Sequence, residues 1–134
     1  MSDTPSTATV VNSHVIENYI WILTNGLAAS DPDPMSDLGY FDGEIELMRT
    51  RARADGNEAL LKMSMESLIT GPYGRARQFN GQVYNFRDAD MVELLTHAYE
   101  LLWPDVPLSF PGEGPEIAFV PMSDAEWAAR QMRS

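Results

Sequence analysis

Side chains equipped for chemistry are sparse in this sequence and lie far apart. It has two histidines, His14 and His97, separated by 83 positions, and no cysteine. Without thiolates a zinc centre must draw on histidines and carboxylates brought together at ligand spacing. Each histidine reads instead as a hydrogen-bonded or solvent-facing side chain on its own helix. Asp31, Asp33 and Asp37 alternate like the start of a calcium loop, but Pro32 and Pro34 occupy the intervening sites, and the glycine that turns such a loop is missing. Gly71-Pro72-Tyr73-Gly74-Arg75 has neither the spacing nor the Lys-Ser/Thr of a phosphate loop, and a proline removes one N–H that would bind phosphate. No catalytic, cofactor-binding or metal-ligating residue is assigned, no cofactor is expected, and the chain reads as a non-enzyme.

Two groups of residues are better suited to binding than to reacting. Arginines recur at 49, 51, 53, 75, 77 and 87. They either balance the nearby Glu44, Glu46, Glu58 and Glu66 or form a positive face that docks on an acidic neighbour, with Arg49, Arg51, Arg53, Arg75 and Arg77 as its candidates. Trp103, Phe110, Phe119 and Trp127 lie in a stretch with little regular structure of its own. That stretch either wraps over the domain's own core or reaches a neighbouring subunit, and these four aromatics are the remaining interface candidates.

Composition narrows the function classes. The 134 residues include 20 Asp plus Glu against 9 Lys plus Arg, a formal charge of −11. Such a balance opposes general affinity for nucleic acid or anionic membranes, because phosphate binding needs cations. The hydrophobic fraction is 44%, ordinary for a globular domain able to bury its own core. The longest apolar run considered, Tyr19 to Leu23, is five residues, far short of the ~20 a spanning helix needs. The Ser/Thr-rich start carries no basic residue, so no signal peptide is expected. Location is expected in the cytoplasm of a host cell or in a virion.

These side chains need elements to position them. Asn12 and Ser13 are candidate caps for a first helix, with Val15, Ile16, Tyr19, Ile20, Leu23 and Leu27 at helical spacing. Two prolines in three residues forbid a regular helix at 32–34, so residues 30–43 are expected to connect, with Leu38, Tyr40 and Phe41 docking on the core. Over 44–54 the abundance of Glu, Leu, Met, Arg and Ala favours helix, although the alternation of apolar and charged residues also fits a strand. Asn57 is expected to cap a third helix through Ile69. Arg75–Phe79 and Gln82–Phe86, joined by Asn80-Gly81, predict a β-hairpin with a type I′ turn. Asp88 is expected to cap a fourth helix that stops at Trp103-Pro104. Residues 104–121 hold five prolines and two glycines and are expected to be extended, with Ile117–Val120 a short edge strand. Ser123-Asp124-Ala125-Glu126 is a capping box opening a terminal helix. The fold class expected is mostly helical α+β: helices around a small hairpin, an N-terminal helix, and an extended C-terminal arm ending in a short helix. In domain terms, 1–11 is a flexible arm, 12–103 one α+β domain, and 104–134 the proline-rich segment.

Over residues 57–103 the order helix, hairpin, helix, with Leu68-Ile69-Thr70-Gly71, Asn80-Gly81, Val83-Tyr84-Asn85-Phe86 and then an Asp-led helix containing Leu94-Leu95, resembles the W-type head-completion, or head–tail joining, family of tailed phages. The resemblance implies a structural virion protein ringed below the portal, with no catalytic residues to carry over. An acidic lumen in such a ring would repel DNA phosphates and let the genome slide. The first helix and the acidic loop before residue 57 lie outside the family pattern. The expected function is therefore a non-enzymatic assembly protein, a connector or head-completion subunit that binds protein partners and forms a homo-oligomer or ring, with no specific nucleic-acid binding and no membrane. The rival is a small acidic inhibitor, immunity or antidefence protein that occludes a basic partner surface.

Overall fold

The computed structural model describes residues 9–26, 32–71, 75–81, 84–110 and 112–132. Strand β1 (Thr9–Asn12) runs straight into helix α1 (Ser13–Thr24). Asn12 makes that junction: its Oδ1 accepts the His14 N–H at 3.1 Å and the Met122 N–H at 3.2 Å, so one buried amide starts the helix and holds the far end of the chain. Ile16, Tyr19, Ile20 and Leu23 form the buried face of α1.

Two short 3-10 turns, Pro34–Ser36 and Leu38–Phe41, lead into α2 (Asp42–Ala54). Phe41 reaches the core and Leu38 packs on its margin, but Tyr40 stays exposed, contrary to the docking expected of it. The segment read as helix or strand is helix. Asp42 and Glu44 stand in its first turn and Arg51 and Arg53 in its last, which complements the helix dipole. Ile45, Met48 and Ala52 give it one buried stripe.

The turn to α3 (Glu58–Thr70) needs Gly56, whose φ of +77° suits a residue without a Cβ. Asn57 precedes the helix, but its side chain does not cap it: Nδ2 donates to the Tyr19 hydroxyl at 2.9 Å. That hydroxyl donates in turn to Asp55 Oδ2 at 2.6 Å, clipping α1 to the α2–α3 turn.

The hairpin expected over 75–86 is corrected. Ala76–Phe79 is a 3-10 turn, and Asn80 has φ −64° and ψ 132°, not the positive φ of a type I′ turn; Gln82 and Val83 lie outside the described residues. The physical reason is burial at a period of three. Ala76 and Phe79 are buried while Arg77 and Gln78 are exposed, whereas a strand would bury every second residue. The small sheet lies elsewhere. It has two parallel strands, β1 and β2 (Ile117–Val120), with Thr9 opposite Ile117 and Asn12 opposite Val120. Thr9, Val10 and Val11 thus belong to a strand, not to a flexible arm, and Val11 is fully buried. Residues 1–8 of that expected arm lie outside the described residues.

Helix α4 (Asp88–Leu102) starts by a different route from the one expected. Asp88 does not cap it; its Oδ1 accepts the Arg77 backbone N–H at 3.0 Å, and the Asp90 carboxylate reaches back to the Arg87 N–H at 3.1 Å. Helix α5 (Asp124–Met132) opens with the expected reciprocal pair, Glu126 N–H to Ser123 Oγ and Ser123 N–H to Glu126 Oε1. The mostly helical α+β class holds. One core collects Val11, the inner faces of α1 to α4, Phe41, Phe79, Phe86 and Ile117. Among the described residues no helix is long and apolar enough to cross a membrane.

Candidate functional site

The arginines are not gathered into one face. Arg49 Nη2 pairs with Glu46 at 2.8 Å, and its Nη1 donates to the Leu102 carbonyl at 3.4 Å, tying α2 to the end of α4. Arg53 makes a two-pronged pair with Glu58 at 2.9 and 3.0 Å. These hydrogen bonds raise the arginine above its ordinary value and lower the glutamate below its own. Arg75 turns inward: Nη2 donates to the Ile117 carbonyl at 2.8 Å, and the guanidinium lies 5.3 Å from the Phe119 ring centre. Burial lowers its pKa below the ordinary arginine value. Arg51 and Arg77 are exposed. Charge balancing and internal cross-linking thus occupy three of the five arginines proposed as contacts.

Among the aromatic candidates, Phe119 stacks edge-on against Phe79 with centroids 5.2 Å apart, so it serves the core. Trp127 is half-buried on α5. Trp103 and Phe110 remain: Trp103 lines a hollow at the end of α4, and Phe110 follows two residues after the last residue of its lining.

Tyr99 and Trp103 sit one helical turn apart, with ring centroids at 5.2 Å. The ammonium of Lys62, the chain's single lysine, lies 5.3 Å from the Tyr99 ring centre and 5.9 Å from that of Trp103. The contact joins the first half of α3 to the last turn of α4. After Trp103 the chain turns, with the Val106 N–H donating to the Trp103 carbonyl at 3.1 Å. Tyr99, Trp103, Pro104, Val106, Pro107 and Leu108, with the exposed Glu100, line a hollow of about 320 Å³. Aromatic faces and proline rings form the apolar part of its lining, beside the Glu100 carboxylate, and the Lys62 ammonium lies over two of the rings.

Next to this hollow the chain is pinned to α3. Glu66 Oε2 accepts both the Ser109 N–H at 3.1 Å and the Ser109 hydroxyl at 2.6 Å. The Gly112 N–H donates to the Thr70 carbonyl at 2.6 Å, and the Glu113 N–H closes a turn on the Phe110 carbonyl at 2.8 Å. Gly112 has φ +83°, and a Cβ on Gly114 would collide with the Thr70 hydroxyl. Between these anchors Phe110 is 75% exposed, the most exposed large apolar side chain among the described residues. Trp103 and Phe110 were legible as candidates in the sequence. The hollow was not, although its lining is one continuous stretch, residues 99–108; the anchors beside it, Glu66 and Thr70, come from α3, a different part of the chain.

A second hollow of about 370 Å³ lies between the end of α3 and the tail, lined by Thr70, Gly71, Arg75, Gly112, Gly114, Pro115 and Glu116. Arg75 there is turned toward Ile117 and Phe119, and the Glu116 carboxylate opposes an anion. His14 faces Glu17 at 3.4 Å and His97 faces Asp42 at 2.9 Å. Among the described residues no group of three or more His, Asp or Glu side chains converges as metal ligands. Comparison of the chain with family models, with curated proteins and with solved structures finds no match.

Proposed function

We propose that the chain is a non-enzymatic assembly subunit, which binds neighbouring protein subunits in a larger particle in the manner of a phage connector or head-completion protein. The observation that carries this reading is the 75% exposure of Phe110 in a segment hydrogen-bonded to α3 at Ser109 and Gly112, next to the hollow at the end of α4. An isolated domain gains nothing by leaving an aromatic ring in water, whereas interfaces draw most of their binding energy from such anchors. The packing of α3 on α4 supports the head-completion form of the reading. With the hairpin replaced by a 3-10 turn, that form rests on the helix pair. The reading is tested by cross-linking the chain in the cells or particles that produce it, followed by mass spectrometry. Cross-links between copies and to a multi-subunit particle are expected; recovery as uncross-linked monomer alone would overturn it.

A further inference from the structure

We propose that Asn25-Gly26 is a site of spontaneous modification in the folded chain, where the asparagine closes to a succinimide and reopens as aspartate or isoaspartate, while Asn80-Gly81 is shielded from the same reaction by Thr24. The inference is independent of the assembly reading.

The chain has two Asn-Gly pairs, at 25–26 and at 80–81. Asparagine before glycine is open to ring closure, because no Cβ on the second residue hinders the approach. The glycine nitrogen attacks the asparagine Cγ. The new N–C bond closes a five-membered imide and the Cγ–Nδ2 bond breaks. The amide nitrogen leaves as ammonia, carrying the proton that the glycine nitrogen gives up. Water, the one co-reactant, then opens either imide C–N bond, giving aspartate or, with the chain rerouted through Cγ, isoaspartate. Nothing is oxidised or reduced.

Closure needs a strongly negative ψ at the asparagine, which brings the next nitrogen round to the side chain. Asn25 stands at ψ 7° and Asn80 at ψ 132°. Each must rotate, so the rate at each follows the ease with which its backbone opens. The two differ in what resists that opening. Asn25 is exposed in the turn after α1, where its N–H donates to the Trp21 carbonyl at 2.8 Å, and among the described residues the Gly26 N–H has no acceptor. Gly81 is buried, and its N–H, the group that must attack, donates to the Thr24 hydroxyl at 3.0 Å. The Asn80 N–H is held by the Arg77 carbonyl at 3.0 Å, and its Oδ1 is enclosed. Thr24 is itself fully buried, so its bond to Gly81 yields when the end of α1 parts from the 76–81 turn.

The two pairs also touch. A Cβ on Gly81 would collide with the Asn25 carboxamide, and one on Gly26 with the Glu44 carboxylate. Reaction at Asn25 therefore sets a new negative charge against Gly81 and near Glu44, on a chain already at −11, and loosens the contact that shields Asn80.

The test is incubation of the full chain at mildly alkaline pH, once folded and once in concentrated urea. Trypsin then releases peptides 1–49 and 78–87, and tandem mass spectrometry with isoaspartate-specific methylation locates the product. In the folded chain residue 25 is expected to convert at least about tenfold faster than residue 80, the difference between opening an exposed turn and opening a buried hydrogen bond. In urea the two rates should converge. Thr24→Val, with folding verified by circular dichroism, is expected to speed conversion of residue 80 in the absence of urea, and the exposed change Asn25→Asp to do the same. Equal rates in the folded chain, or residue 80 reacting ahead of residue 25, would overturn the assignment. So would a folded chain unreacted at residue 25 over a time in which the urea sample converts. Conversion of residue 80 unmoved by both substitutions would overturn the shielding by Thr24.

Discussion

Tyr19 shows how single polar groups organise this small core. Its hydroxyl lies between the Asp55 carboxylate and the Asn57 amide. Burial raises its pKa above the ordinary tyrosine value, and donation to Asp55 raises it further. The stabilisation is therefore complete below the unfolded value of about 10 and is lost as pH rises through the higher folded value. Tyr19→Phe should cost about 1 kcal/mol at neutral pH in urea denaturation, and the gap to wild type should close as the pH is raised beyond ~10; a gap unchanged there would contradict the clip. Asp90 behaves in the opposite sense. Burial alone would raise it, but hydrogen bonds from the Arg87 guanidinium and backbone N–H outweigh that and hold it below the ordinary aspartate value. Its contribution is present above the unfolded value of ~3.9 and disappears as pH falls through the folded one. Asp90→Asn should cost about 1 kcal/mol near neutrality, measured by thermal melting, with the difference fading in acid. Equal differences at every pH would show that the charge has no part in capping α4.

At the scale of elements, legibility follows the range of the interactions. Helices α1 to α4 were readable because their determinants are local: the Ile16–Leu23 stripe, the charge order along α2, the Trp103-Pro104 stop. The turn at Ala76–Phe79 was misread because Asn80-Gly81 is a strong local hairpin signal, while the burial of Phe79 against Phe119 from the far end of the chain decides the outcome. Likewise β1 carries no sign of its partner, since a parallel strand close to the other terminus leaves no local pattern at Thr9–Val11. The candidate site divides the same way. Trp103 and Phe110 stood out by type, but the turn around Phe110 is pinned by Glu66 and Thr70 of α3, which no local pattern announces. Arg75 links these levels, since its guanidinium joins β2 to the segment after α3. Arg75→Met should cost about 1–2 kcal/mol and speed amide hydrogen exchange across Ile117–Val120 ahead of global unfolding. Exchange there at the wild-type rate would show that the strand pairing holds without it.

For the whole molecule, the decisive balance is between a net charge of −11, which keeps copies apart, and apolar side chains exposed at and after the end of α4. The assembly account holds that the second prevails once charge is screened. The acidic-inhibitor alternative holds that the charge itself is the recognition element, and it predicts binding to a basic partner that collapses in salt. The most direct measurement is the mass of the wild-type chain by sedimentation equilibrium, followed over concentration and ionic strength. The account predicts a population heavier than monomer that grows with both. A mass fixed at that of the monomer across the whole range, with cross-linked native material also yielding no contact between copies, would contradict it.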